Sequence, residues 1–354
     1  MTAGVTPEIA SNNSISNRSG TPVLARARLQ LQFRGVAETA PAELPRPLGT
    51  HHLLAAITRF LADQDPVTLG RIRSALEREI AQAGPDAVAC LGERLASAGA
   101  DWDYYPPDPL ARHIHHVLAD CILKPDSTLF GIEHVEAVAG RPVVVFANHL
   151  SYSDANVLEV LLHRAGGTTL SDRLTVVAGP KVYSSLKRRF SSLCFGTIKT
   201  PQSSALSSED AVMNPREVAR AARRSIEIAH DRLSLGDALL VFAEGTRSRT
   251  GGLQPMLAGV TRYLEVPGVF ILPVGLVGTD ALFPIGEDAL HPVRAVARLG
   301  APIEASVLRD RAAGDRRLMM DTVGLAISAL LPPANRGVYG DDVAGLDEAR
   351  HARF

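Results

Sequence analysis

Two short clusters combine residues that can move a proton with residues that can hold an anion. The first is Asn148-His149-Leu150-Ser151-Tyr152-Ser153-Asp154. A histidine can take a proton from a hydroxyl near neutral pH, and a carboxylate on its other ring nitrogen fixes the tautomer and stabilises the imidazolium. The spacing predicts His149 in a strand-to-helix turn and Asp154 at the start of the next helix, folded back toward it. Such a pair needs no serine or cysteine nucleophile.

The second cluster is Phe242-Ala243-Glu244-Gly245-Thr246-Arg247-Ser248-Arg249. Run out as an extended segment, it would aim Arg247 and Arg249 to one side, where both can donate to a single phosphate. Gly245 lets backbone come close to a ligand, and Thr246 counts with it as a substrate contact. Glu244 reads as the residue that holds the motif loop, and Asn148 as part of the framework around His149.

Both clusters follow short apolar, β-branched runs. Residues 143–147, 174–178, 238–242 and 269–274 have the texture of strands buried on both faces. Helices alternate with them. Val157, Leu158, Leu161 and Leu162 form one apolar stripe, stopped by Gly166-Gly167. Asn214 can cap another helix, Pro215 suits its first position, and Val218, Ala222, Ile226 and Ala229 give its buried face. The alternation predicts an α/β catalytic domain over 110–340, with a mixed, mostly parallel sheet flanked by helices. Ligands of open α/β sheets bind beyond the carboxyl ends of the strands, where both clusters fall.

A small helical N-terminal domain is predicted over 51–105. Leu53, Leu54, Ile57, Phe60 and Leu61 recur at helical spacing, then Leu69, Ile72, Leu76 and Ile80 up to Gly84-Pro85, with a third helix over 87–98. The stretch from Tyr104 to Pro109 reads as a linker. Residues 1–50 read as a largely disordered tail and lead-in, and 341–354 as a C-terminal tail.

The 354 residues carry a formal net charge of −1, which gives no support for a nucleic-acid partner. Three cysteines without paired spacing argue against a disulfide framework or a zinc site and fit a reducing cytoplasm. The start of the chain lacks the basic-then-apolar pattern of a signal peptide. The longest apolar stretch, 269–278, is half of the roughly 20 residues a bilayer span needs. Surface association with a membrane stays open. His113, His115 and His116 match no zinc spacing and are expected as solvated helix positions. Lys187-Arg188-Arg189 reads as a solvated face, with anionic lipid or an acidic carrier protein as the alternative. No GxSxG, GxxxxGK[ST] or GxGxxG stands in a chemically useful context.

The two clusters, at this separation, resemble the signature blocks of the glycerophospholipid acyltransferase family. Leu272-Pro273-Val274-Gly275 resembles the family's late strand block, and Leu331-Pro332-Pro333 with Arg336-Gly337 its closing segment. The helical N-terminal part and Val177-Ala178-Gly179 leading into a helix-rich insert are similar to the soluble glycerol-3-phosphate acyltransferases of plastids. The resemblance implies His149 as general base, Asp154 as its partner, and Arg247 and Arg249 as phosphate contacts. It further implies an acyl-CoA or acyl carrier protein donor as co-substrate, a phosphorylated hydroxyl acceptor, and no cofactor or metal. The chain departs from the family at Gly196 to Gln202, which lacks the block's cation, and at Leu257-Ala258-Gly259, where many relatives have lysine before glycine. Lys181 and Lys199 are the expected replacements. The alternatives are an acyltransferase for a non-glycerolipid acceptor and a non-catalytic lipid- or carrier-binding relative.

Overall fold

The computed structural model describes residues 48–59, 61, 64–201, 214–284, 290–341 and 343–352. The polar start expected as a disordered tail lies outside them, as does Phe60. The described residues belong to one compact unit, Pro41–Phe354.

Among the described residues nine strands form one sheet: β1 (Tyr104–Tyr105), β2 (Thr128–Phe130), β3 (Val143–Ala147), β4 (Leu174–Ala178), β5 (Gly196–Lys199), β6 (Ala238–Val241), β7 (Phe270–Val277), β8 (Val296–Leu299) and β9 (Ile303–Glu304). Their order is β1-β5-β4-β6-β3-β7-β8-β2, with β9 beside β7. The five central strands β5, β4, β6, β3 and β7 run parallel; β1, β8 and β9 join antiparallel, making the sheet mixed and mostly parallel. In register, Val145 of β3 faces Leu240 of β6 on one side and Leu272 of β7 on the other.

Eleven helices are described: α1 (Thr50–Arg59), α2 (Pro66–Ser97), α3 (Pro109–Ile122), α4 (Glu133–Ala137), α5 (Asp154–Arg164), α6 (Thr168–Ser171), α7 (Leu186–Ser192), α8 (Pro215–Ser234), α9 (Ala305–Arg311), α10 (Arg316–Ser328) and α11 (Asp347–Ala352). They cover both faces. The period-two alternation of β3 sends Val143, Val145 and Ala147 into a core shared with α1, α2, α3 and α5, and Val144 and Phe146 into one shared with α8, α9 and α10. Burial on both faces explains why β3 reads as an unbroken apolar run.

Local chemistry accounts for the helix ends. Asn214 accepts the Glu217 N–H at 2.9 Å while the Glu217 carboxylate accepts the Asn214 N–H at 3.0 Å, with Pro215 in the first turn of α8. Asp65 caps α2 by accepting from Val67 and Thr68, both at 3.0 Å. Gly84, at φ 82°, kinks α2, so the two predicted helices on either side of Gly84-Pro85 are arms of one bent helix.

Three segments differ from the sequence expectation. The 51–105 stretch, read as a domain of its own, shares a continuous apolar cluster with the sheet through Leu53, Ile72, Leu76 and Leu91. The supposed linker supplies β1, whose Tyr104 pairs with Ile198 of β5, and then Asp108, which caps α3 by accepting from Ala111 at 3.0 Å. After residue 340 the chain forms α11 with Leu346, Ala349 and Ala352 buried on the α10 side, because that spacing makes one apolar stripe. Among the described residues no helix is long and apolar enough to cross a membrane.

Candidate active site

Strand β3 ends at Ala147, and Asn148 fastens that end to β7. Its side-chain amide donates to the Leu276 carbonyl at 2.9 Å and accepts the Leu276 N–H at 2.7 Å, mimicking one more rung of the ladder. The chain then turns at His149 toward α5, whose first residue is Asp154. The buried Asp154 Oδ2 lies 2.8 Å from His149 Nδ1 and accepts the backbone N–H groups of Leu150 at 2.6 Å and Ser151 at 2.9 Å. The turn is folded around the carboxylate. An ionised carboxylate only accepts, so the imidazole proton sits on Nδ1 and Nε2 keeps a free lone pair.

The second cluster grips the same histidine from the neighbouring strand. β6 runs parallel to β3 and beside it, so the segments leaving their carboxyl ends meet. Glu244 accepts the His149 N–H at 2.7 Å through one oxygen and the Gln254 N–H at 2.8 Å through the other. The Ser248 N–H donates to the His149 carbonyl at 2.7 Å. The Phe242 ring stacks on the imidazole, centroids 4.2 Å apart and planes 19° apart. Gly245 takes φ 72°, in the left-handed region, and closes the turn that brings Glu244 under His149. The segment is therefore turned at Gly245 instead of extended throughout.

Burial pushes the Glu244 carboxyl up to about 7, with the two amide donors pulling it down and the Asp154 charge adding to the rise. Its folded-state pKa stands above the ordinary 4.5, so the native state holds the proton more tightly than the unfolded chain. This group's contribution to stability therefore falls as pH rises from about 4.5 to about 7. Glu244→Gln should abolish that slope. It should also cost roughly 1–3 kcal/mol, since the amide NH₂ would confront one of the two buried donors. Urea unfolding at pH 5 and pH 8 checks both effects; an unchanged midpoint at both would remove Glu244 from the clamp.

Arg247 and Arg249 enter one cleft of about 510 Å³ together with His149, Gly245, Thr246 and Lys181. Ser248 between them is buried and donates to the Gly252 carbonyl at 2.7 Å, so alternation still sends both arginines to the cleft. Arg247 lies over the Tyr152 ring, 3.9 Å from its centroid. Lys199 is not brought to the cleft. Its ammonium donates to the Gly99 carbonyl at 2.5 Å and rests over Trp102 at 4.4 Å, and burial there pushes its pKa down. The closing segment supports the loop after Arg249: Asn335 donates to the Gly251 carbonyl at 2.9 Å and its own carbonyl accepts the Leu253 N–H at 3.0 Å.

Of the three histidines of α3, His113 is exposed as expected, whereas His115 and His116 are not solvated positions. His115 is buried, with Nε2 3.1 Å from the Asn156 carbonyl, and His116 Nε2 lies 3.0 Å from Glu159 of α5. Glu159 is fully buried and also receives Arg112 at 2.8 Å, which bridges on to Asp172 at 2.6 Å. Burial would raise the Glu159 carboxyl, but the hydrogen bonds from His115 and His116 outweigh it and hold it below the usual carboxylate range. Together His115, His116 and Glu159 offer metal-ligating atoms within 4.8 Å of one another. Each already has a protein partner, and the network braces the helix that begins at Asp154. Sequence reasoning missed the carboxylate because it arrives from another helix, 43 residues on.

Comparison with known proteins bears on the same region. Residues 128–277 match the Acyltransferase family model. A stretch of 78 residues, 22% of this chain, is 31% identical to the chloroplastic 1-acyl-sn-glycerol-3-phosphate acyltransferase BAT2 of Brassica napus, and covers 22% of that relative. The crystal structure of the 1-acyl-sn-glycerophosphate acyltransferase PlsC from Thermotoga maritima aligns with a TM-score of 0.42 at 16% identity, over 62% of this chain and 80% of the other.

Proposed function

We propose that this chain, whose residues 128–277 match the Acyltransferase family model, is an acyltransferase of the glycerophospholipid type that moves a fatty acyl group from a thioester to a hydroxyl of glycerol-3-phosphate or a related phosphorylated alcohol. The donor is acyl-CoA or an acyl carrier protein thioester. The observation that carries the reading is the 2.8 Å contact of His149 Nδ1 with Asp154, which leaves Nε2 as the basic atom in a cleft shared with Arg247 and Arg249.

His149 Nε2 takes the acceptor's hydroxyl proton as its oxygen attacks the thioester carbonyl. The new O–C bond forms and the C–S bond then breaks. The imidazolium, held by Asp154, returns the proton to the departing sulfur, so the histidine ends as it began. Phe242 stacked on the ring and Glu244 and Ser248 on its backbone hold the base in place, the kind of positioning that converts an encounter into an oriented reaction.

Arg247, Arg249 and Lys181 supply the positive charge for the acceptor's phosphate, which does not itself react. Val176, Phe195, Ile226, Val241 and Val260 give the same cleft apolar walls suited to an aliphatic chain. A group that binds phosphate equally in ground and transition states changes KM more than kcat. Arg247→Ala should therefore raise the acceptor KM about ten- to hundredfold, the loss of a charge-assisted contact of roughly 1.5–3 kcal/mol, and barely move the donor KM. Lysine should rescue only in part, because it lacks the planar paired donors. Initial rates over a matrix of donor and acceptor concentrations make the test; an effect on the donor KM alone would assign Arg247 to the thioester's phosphates.

A further inference from the structure

Tyr152 sits inside the first cluster, between the base and its carboxylate, and its ring carries two guanidinium groups. Arg247 lies over it at 3.9 Å, and Arg188, from α7, lies over it at 4.6 Å. The two charges thus come within about 8.5 Å of each other, although 59 positions separate them in the chain. Arg188 is further held by donating to Ser184 Oγ at 2.8 Å and to the Lys181 carbonyl at 3.3 Å. One of its two anchors is therefore the backbone of a residue that lines the cleft.

Among the described residues, no carboxylate pairs with Lys181, Arg188, Arg247 or Arg249, whereas Arg112 pairs with Glu159 and Arg232 with Asp237. Cations gathered without a counter-ion repel one another, so the arrangement is stable in the presence of an anion that the protein does not itself provide. An aromatic face holds a guanidinium in position without neutralising it, so its donors stay available.

Resting on the phosphate-acceptor reading above, we propose that Arg188 and Tyr152 complete the acceptor site: Tyr152 is the platform that seats Arg247 and Arg188, and Arg188 donates to the acceptor's phosphate monoester alongside Arg247. A dianionic tetrahedral phosphate at the ring edge spans the two guanidiniums with a charge-assisted bond of about 2.8 Å to each. A phosphate diester or an uncharged alcohol gains little from the second arginine. The pair is thus a selectivity device for a terminal phosphate, and Tyr152 is a positioning residue that acts through the arginines.

The test uses the full chain with glycerol-3-phosphate, its dephosphorylated counterpart glycerol, and an acyl-CoA donor. Arg188→Ala should raise the KM for the phosphorylated acceptor about tenfold, with kcat within about twofold and the donor KM unchanged. Tyr152→Leu should raise it more than Arg188→Ala does, because both guanidiniums lose their seat, and Tyr152→Phe should restore most of the loss by restoring the ring face. Inorganic phosphate, used as a competitor against the acceptor, should inhibit Arg188→Ala about tenfold more weakly than the parent. An unchanged acceptor KM in a folded Arg188→Ala protein overturns the proposal, and so does an effect confined to the donor KM, which would place Arg188 on the donor's phosphates. Failure of the underlying reading looks different: the parent protein would then acylate glycerol as readily as glycerol-3-phosphate.

Discussion

Replacing His149 by alanine should lower acyl transfer by about 10²–10⁴-fold, the usual consequence of losing a general base, while the protein stays folded. The fold should survive because the contacts that order this segment do not use the imidazole. Glu244 accepts from the His149 backbone N–H, Ser248 donates to its carbonyl, and Asn148 remains stitched to Leu276. The ring itself contributes its bond to Asp154 and its stack on Phe242. Steady-state rates set beside circular dichroism and thermal unfolding separate chemistry from stability. A folded variant with a near-normal rate removes His149 from the mechanism.

Asp154→Asn should be nearly as damaging, at about 10²–10⁴-fold in kcat, for a different reason. One oxygen of Asp154 now takes the imidazole and the N–H groups of Leu150 and Ser151. An asparagine oxygen in the same place could keep those bonds but not the charge that stabilises the imidazolium. Its NH₂ turned there would face three donors and favour the wrong tautomer. Acceptor and donor KM should change much less than kcat, since Asp154 is fully buried and is not among the residues that line the cleft. A variant in which KM rises and kcat holds would make Asp154 a framework residue only.

Four of the five central strands and the His149 turn were legible in the sequence because their causes are local, whereas the segment that turns at Gly245 was expected to be extended. A strand buried on both faces must be an apolar run, and β3, β4, β6 and β7 are. The His149 turn was readable because the carboxylate that organises it lies five residues away. What escaped depends on distant partners. β1 is two tyrosines amid prolines, and its strand character comes from pairing with β5. Gly196 of β5 is dictated by packing, since a Cβ there would meet Thr175 Oγ1 at 2.4 Å and the Tyr104 hydroxyl at 2.9 Å. The buried Glu159 that claims His115 and His116 comes from α5, and the apolar stripe of α2 said that it packs on something without saying on what. Lys199 was expected to replace the cation that the family's block carries in this region, but its side chain leaves β5 toward Gly99 and Trp102. Arg188 sits in a basic run whose composition fits a solvated face, and only the ring of Tyr152 marks it out.

The most direct measurement is the transfer of a radiolabelled acyl group from acyl-CoA to a panel of alcohols by the purified protein and by His149→Ala. The panel pairs glycerol-3-phosphate and 1-acyl-glycerol-3-phosphate with their dephosphorylated counterparts. Labelled ester should form with a phosphorylated member, fall steeply when its phosphate is removed, and drop by about 10²–10⁴-fold in the variant. Absence of ester with every alcohol and with both CoA and carrier-protein donors, or ester formation that His149→Ala leaves untouched, would contradict the account.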